Sequence, residues 1–196
     1  GGGLQFNGGF TVAKALTLAA TGNSTVNLNN NNAGFSGVIS GGGGTFALTN
    51  TGATSKTLTL SQANSFAGPT SIGSNVMVGL GNATALSSGA VTFNSGGGLQ
   101  FNGGFTVANA LTLAASGNST VDLNGNNTTF SGVVSGGGGT FNLINSTTTQ
   151  AILTASGANT YTGITSIGNY VTLAVSGNSS AGSSFTLAGT NSVFDI

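Results

Sequence analysis

Short segments in which apolar residues alternate with small or polar residues recur along the whole chain. A period of two is typical of a β-strand with one buried face. No segment keeps a helical period for three turns. The pattern therefore predicts an all-β chain, with strands at 16–18, 25–28, 46–48, 58–60, 76–78, 90–93 and 99–101.

The alternation also predicts which side chains face the core. Leu16 and Leu18 should point inward and Thr17 outward, because successive residues of a strand point to opposite faces. The same reasoning places four further pairs in the core: Val26 and Leu28, Phe46 and Leu48, Leu58 and Leu60, and Val76 and Val78. Ser, Thr and Asn then form the outer surface.

The chain is an internal repeat with an offset of 95 residues. Residues 1–50 and 96–145 differ at only nine positions. The same offset carries Asn64 onto Asn159 and Phe66 onto Tyr161 without a gap. We therefore divide the chain into a first unit, 1–95, and a second unit, 96–196, which belong to one continuous structure.

Short strands in a long repeat are compatible with a sandwich, a propeller or a solenoid. The segments here are only three to five residues long, and Gly- and Asn-rich stretches such as 29–32 and 41–44 separate them. Asn and Gly accept the left-handed backbone of tight bends. This favours a parallel β-solenoid with coils of about 20–30 residues, and a rod about 40 Å long at one strand spacing per coil.

Composition narrows the range of partners. Only four side chains carry a formal charge: Lys14, Lys56, Asp122 and Asp195. Cys and His are absent. Without a basic patch we expect no nucleic-acid partner. Without a long apolar run we expect no transmembrane segment. The apolar share of 38% is enough for a core, which argues against disorder.

Two stretches resemble a known family, the autotransporter-associated β-strand repeat of bacterial surface proteins. They are 58–93, which begins "LTLSQANSFAGPTSIGS", and 152–177, which begins "ILTASGANTYTGITSIGN". The matching positions of the first unit are Leu58, Leu60, Ser61, Ala63, Asn64, Phe66, Gly68, Thr70 and Ile72. Those of the second unit are Leu153, Ser156, Gly157, Ala158, Asn159, Tyr161, Gly163, Thr165 and Ile167. The resemblance implies a right-handed parallel β-helix that is exported and displayed outside the cell.

The charged residues do not form a recognisable catalytic or metal site. Glycan-cleaving β-helical enzymes need paired carboxylates or carboxylates that hold calcium, and this chain has only Asp122 and Asp195. Each charge also has an uncharged equivalent 95 residues away: Asn109 for Lys14, Ala151 for Lys56, Asn27 for Asp122 and Gln100 for Asp195. We interpret all four as solvated substitutions.

The other candidates have simpler structural explanations. No His is present to activate a Ser, and the Gly runs 41–44 and 136–139 lack the Lys and helix of a phosphate loop. Tyr161 and Tyr170 could stack on sugars, but Phe66 at the position of Tyr161 favours packing. We predict no catalytic, cofactor-binding or metal-binding residues, and no enzymatic activity.

Three classes of function remain. The first is a structural extracellular rod, stalk or filament on a bacterial surface. The second is an adhesin-type module that binds carbohydrate or another cell surface, which an aromatic and amide-lined groove would favour. The third is ice binding, but Thr57 and Thr59 have no repeating partner at coil spacing. We predict the structural role.

The two ends of the chain lie at the same phase of the repeat. Residues 1–6 are identical to 96–101, and 190–196 occupy the positions of 95–101 one repeat earlier in the chain. A terminal coil of a solenoid exposes unpaired backbone groups that can pair with another chain. We therefore expect this chain to be one stretch of a longer array, or a subunit that stacks head to tail on copies of itself.

Overall fold

The computed structural model describes residues 1–176 and 184–196, and every strand pair in them is parallel. Their coils stack into a β-solenoid of about eight turns, and these residues contain no helix. The prediction of an all-β solenoid is therefore confirmed.

The strands are two to five residues long. Those of the first unit are β1 (Gly3–Gln5), β2 (Thr11–Val12), β3 (Leu16–Leu18), β4 (Asn23–Asn27), β5 (Ala33–Phe35), β6 (Ile39–Gly41), β7 (Thr45–Thr49), β8 (Lys56–Leu60), β9 (Thr70–Ile72), β10 (Val76–Leu80) and β11 (Val91–Phe93). Those of the second unit are β12 (Gly98–Phe101), β13 (Thr106–Val107), β14 (Leu111–Leu113), β15 (Asn118–Asp122), β16 (Thr128–Phe130), β17 (Val134–Gly136), β18 (Thr140–Ile144), β19 (Ala151–Ala155), β20 (Ile164–Ile167), β21 (Val171–Val175), β22 (Ser184–Leu187) and β23 (Val193–Asp195). All seven segments predicted from alternation overlap a strand.

Three faces run along the solenoid. The first face is the sheet β1-β4-β7-β9-β11-β14-β17, and the second is the sheet β2-β5-β8-β10-β12-β15-β18-β20-β22. The third face starts with β3-β6 and ends with β13-β16-β19-β21-β23. Between β6 and β13 the third face consists of irregular backbone. Hydrogen bonds still connect its coils, since Ser65 donates its N–H to Ile39 O and Asn64 donates its N–H to Thr84 O.

Coil length varies along the rod. Thr92 pairs with Thr112 and Gly34 pairs with Thr59, which are offsets of 20 and 25 residues. These offsets lie within the range predicted for a coil.

The 95-residue repeat does not correspond to a whole number of turns. From β1 the first face continues through β4, β7 and β9 to β11, which is four turns, and the strand equivalent to β1 is β12 on the second face. In the same way β2 on the second face corresponds to β13 on the third, and β3 on the third corresponds to β14 on the first. Each unit therefore advances four turns and one face.

The core is a continuous column of apolar side chains. Nine of the ten residues predicted to face inward are buried, and Leu16 in the first coil is half-buried. Edge-to-face aromatic pairs recur in both units, with ring centroids 5.4 Å apart in Phe46–Phe66 and in Phe141–Tyr161. Phe66 and its equivalent Tyr161 therefore both pack in the core.

The corners use left-handed backbone, as the Asn- and Gly-rich stretches predicted. Asn29, Asn30 and Asn75 have φ values of 46°, 63° and 57°. Tyr170 occupies the position of Asn75 in the second unit and has φ of 55°, a conformation uncommon for a bulky side chain. This aromatic residue is therefore held at a corner rather than in the core.

Asn64 and Asn159 act as rungs between coils where no strand is present. Asn159 Oδ1 accepts from Val134 N–H at 2.8 Å, and Asn64 Oδ1 accepts from Ile39 N–H at 2.7 Å. Asn64 also donates its Nδ2 to Ala85 O at 2.7 Å. Both amides thus bond to the backbone of a neighbouring coil, and neither Asn is among the positive-φ positions of the described chain.

We expect Asn159→Val to lower the free energy of unfolding by roughly 1–3 kcal/mol, because it leaves the buried Val134 N–H without its acceptor. Urea denaturation followed by circular dichroism measures the change. The matched control is Ala158→Val at the adjacent exposed position, which should change stability little. Equal effects of the two variants would contradict the assigned role of the Asn159 amide.

Candidate functional site

Asp122 is buried, which corrects its interpretation as a solvated substitution. The residue is 2% exposed, and its carboxylate accepts from Gln100 Nε2 at 2.8 Å, Asn124 N–H at 3.0 Å and Ser146 N–H at 2.9 Å. It also accepts from the Ser146 hydroxyl. The partners come from the coils on both sides, so this carboxylate is a structural acceptor that ties three coils together.

The equivalent site of the first unit keeps two of these contacts without charge. Asn27 Oδ1 accepts from Asn29 N–H at 2.9 Å, and its Nδ2 donates to Gln5 Oε1 at 3.3 Å. In the second unit the Gln amide is the donor instead. An amide that can be turned around explains why the chain tolerates either Asn or Asp at this position.

The remaining charges do not gather into a site. Lys14 and Asp195 are exposed and Lys56 is half-buried. The described residues, which exclude 177–183, contain no group of three or more His, Cys, Asp or Glu that could hold a metal ion.

Glycines mark the points where the backbones of neighbouring coils approach each other most closely. A Cβ added at Gly68 would lie 1.8 Å from Gly44 O, and one added at Gly163 would lie 1.9 Å from Gly139 O. The Gly run 41–44 behaves similarly, since a Cβ at Gly41 would meet Leu18 O at 2.5 Å. A side chain at these positions would therefore collide with the backbone of the preceding coil.

Tyr161 forms a buried polar pair that its equivalent cannot form. Its hydroxyl and Thr165 Oγ1 are 2.8 Å apart, and both residues are buried. Burial raises the pKa of Tyr161, and the hydrogen bond to Thr165 opposes this increase in part. In the first unit Phe66 has no hydroxyl, and the buried Thr70 Oγ1 has no partner among the described residues.

Two surface depressions occupy equivalent positions of the two units. One has a volume of about 330 Å³ and is lined by Gly104, Phe105, Thr106, Asn127, Thr128, Thr129, Ile152 and Thr154. The other, about 370 Å³, is lined by Gly9, Phe10, Thr11, Asn32 and Ala33. A half-exposed Phe side chain and an Asn amide are common to both. Alternation of apolar and polar residues does not reveal them, because their residues come from successive coils.

The first coil leaves apolar residues uncovered that are buried in the second unit. Leu4 on β1 is 38% exposed, whereas the equivalent Leu99 on β12 is fully buried. The difference arises because β12 is paired on one side with β10, through Val78 opposite Leu99, whereas β1 has only β4 as a partner among the described strands. The same Leu is thus buried where a preceding coil lies against its strand.

The faces do not carry an extended rank of Thr at the candidate ice-binding positions. Thr57 pairs with Met77, and Thr59 pairs with Gly79. The Thr-x-Thr pattern therefore stops after one coil on that side. The described part of the chain also contains no helix of the length and apolarity that spanning a membrane requires.

No family model, no curated protein and no solved structure matches the chain.

We expect Tyr161→Phe to lower the free energy of unfolding by about 1–3 kcal/mol, because it leaves the buried Thr165 hydroxyl without a partner. The reverse exchange, Phe66→Tyr, should raise it by about 1 kcal/mol by supplying a partner to Thr70. Chemical denaturation at pH 7 measures both. Loss of stability on Phe66→Tyr would contradict the proposed equivalence of the two sites.

The Tyr161 hydroxyl should also give the protein an alkaline pH dependence. Because its pKa is raised in the folded state, its stabilisation is complete below the unfolded value of about 10 and is lost as the pH rises through the folded value. Stability should therefore fall above about pH 10, and Tyr161→Phe should remove part of this decrease. Tyr170→Phe is the control that should retain it.

We expect Asp122→Ala to lower the free energy of unfolding by about 2–4 kcal/mol, because two backbone N–H groups lose their acceptor. Asp122→Asn should cost less than about 1.5 kcal/mol, since Gln100 can turn its amide as Gln5 does. Asp195→Ala at an exposed position serves as the control for thermal denaturation. Similar losses for the Ala and Asn variants would contradict the hydrogen-bonding role.

Proposed function

We propose that this chain is a non-enzymatic structural element, a section of an extracellular rod, stalk or filament on a bacterial surface. One observation carries the proposal: two units of nearly identical sequence share one apolar core and continuous sheets of parallel strands along the rod. The sequence of the unit is therefore one that stacks on further coils. A continuous apolar core and backbone pairing then hold successive coils together along the rod.

The residues that carry the family resemblance have roles that suit such a rod. Leu58, Leu60 and Phe66 lie in the core, Asn64 forms a rung, and Gly68 permits close approach. These roles support membership of the autotransporter-associated β-strand repeat type, with the right-handed winding and export that this type implies. The almost uncharged surface fits a protein that is stabilised by stacking rather than by ion pairs.

The proposed partner is another coil of the same kind. Its strand would lie on β1 as β10 lies on β12, with an apolar residue opposite Leu4 as Val78 lies opposite Leu99. Further repeats of a longer chain or a second copy stacked head to tail can supply this coil. The contact is heterologous, so it extends the rod and does not close it into a ring.

A second candidate function is an adhesin-type module that binds surface carbohydrate. The depression beside Phe105 favours it, because an aromatic ring, an amide and several hydroxyls lie together there. A rod that also carries such a site would combine both roles.

We expect the isolated chain to self-associate at micromolar concentrations, and Leu4→Lys to suppress this by placing a charge on the uncovered first coil. Sedimentation velocity over a concentration series measures the association. Ile164→Lys is the matched control, since Ile164 is 45% exposed on the side of the rod rather than at its end. A wild-type monomer at every concentration, or equal effects of the two variants, would count against stacking.

A further inference from the structure

An aromatic ring, an amide and three Thr hydroxyls lie together on the third face of the solenoid, in the depression beside Phe105. The Phe105 ring is half-exposed and packs against Phe101 with centroids 5.4 Å apart, so its orientation is held by the core. We propose that this depression binds a neutral polysaccharide, with a sugar ring seated on Phe105. The proposal deepens the second candidate function and does not depend on stacking of the rod.

An oriented amide lies beside the ring. Asn127 Oδ1 accepts from Ile152 N–H at 2.9 Å, which fixes the amide and turns its Nδ2 donor outward. Asn127 itself is exposed. A donor that is held in place before binding loses little conformational entropy when a ligand hydroxyl accepts from it.

A rank of hydroxyls extends from this point along the rod. Thr106 pairs with Thr129, and Thr129 pairs with Thr154, so the three side chains point outward in register. They are spaced by one strand separation, about 4.8 Å. None of the three hydroxyls has a partner among the described residues, and each can both donate and accept. Sugar hydroxyls need this dual capacity.

The charge of the depression selects the ligand class. None of its eight lining residues is charged. An anionic polymer would lose hydration there without gaining a cation to pair with, whereas a neutral polysaccharide loses no charge solvation. An apolar protein partner would leave the Asn127 amide and the Thr hydroxyls unpaired.

The equivalent depression of the first unit provides an internal control. It retains the aromatic ring at Phe10 and the amide at Asn32, which accepts from Thr57 N–H at 2.9 Å. Gly34 stands where the second unit has Thr129, so the rank of hydroxyls is interrupted. We therefore expect the Phe105 depression to bind more tightly than the Phe10 depression.

The test is isothermal titration of the whole chain with cellohexaose and mannohexaose, with an oligogalacturonate of the same length as the anionic comparison. We expect binding of at least one neutral oligosaccharide and none of the anionic one. Thr129→Val keeps a β-branched strand residue and removes one hydroxyl, and Asn127→Asp keeps the acceptor for Ile152 N–H and removes the donor. Each should weaken binding severalfold, and Phe105→Ala by about tenfold or more.

Phe10→Ala is the matched control and should leave the affinity nearly unchanged. Because Phe105→Ala also removes core contacts, its thermal stability is measured beside that of Phe10→Ala, and the Thr129→Val result does not depend on it. The proposal would be overturned if neither neutral oligosaccharide binds or if the anionic one binds more tightly. Unchanged affinity in both Thr129→Val and Asn127→Asp would overturn it as well. Sedimentation of the same samples reports on rod stacking separately, so failure of one proposal is distinguishable from failure of the other.

Discussion

The structure depends on parallel backbone pairing between coils at the distance of a single strand. At this spacing a side chain that points along the rod axis has no room, which is why Gly68 and Gly163 face the carbonyls of the preceding coil. Where a strand is absent, an amide must replace its hydrogen bonds, and Asn64 does so between Ile39 and Ala85. The Gly and Asn residues shared by the two family-like stretches, 58–93 and 152–177, are therefore consequences of coil stacking.

The advance of each unit by four turns and one face has a consequence for function. Equivalent residues of the two units lie on different faces of the rod, as the depressions beside Phe10 and Phe105 do. A rod built from this unit presents each surface feature on its three faces in succession. A binding site repeated in this way can contact ligands on several sides, whereas a unit of whole turns would place all its sites in one line.

Polar groups in this protein stabilise the interior as much as the surface. The Asp122 carboxylate joins three coils, and the Tyr161 hydroxyl satisfies Thr165 inside the core. Substitutions between the units are absorbed by such local networks: Asn27 replaces Asp122 because a neighbouring Gln amide can donate or accept. The exchange of Asn27 for Asp122 between the units is thus accommodated by rearranged hydrogen bonds.

The sequence by itself determined the fold class, the inward-facing side chains and the Asn and Gly corners, because alternation and left-handed backbone are local properties of the chain. It did not reveal β2, β5, β6 and β9, because none of these short strands has a polar residue between two apolar ones, as β3 has. The burial of Asp122 and the depression beside Phe105 were decided by the tertiary structure alone. Their partners lie about one coil away along the chain, and coil length, which varies from 20 to 25 residues, decides which side chains meet.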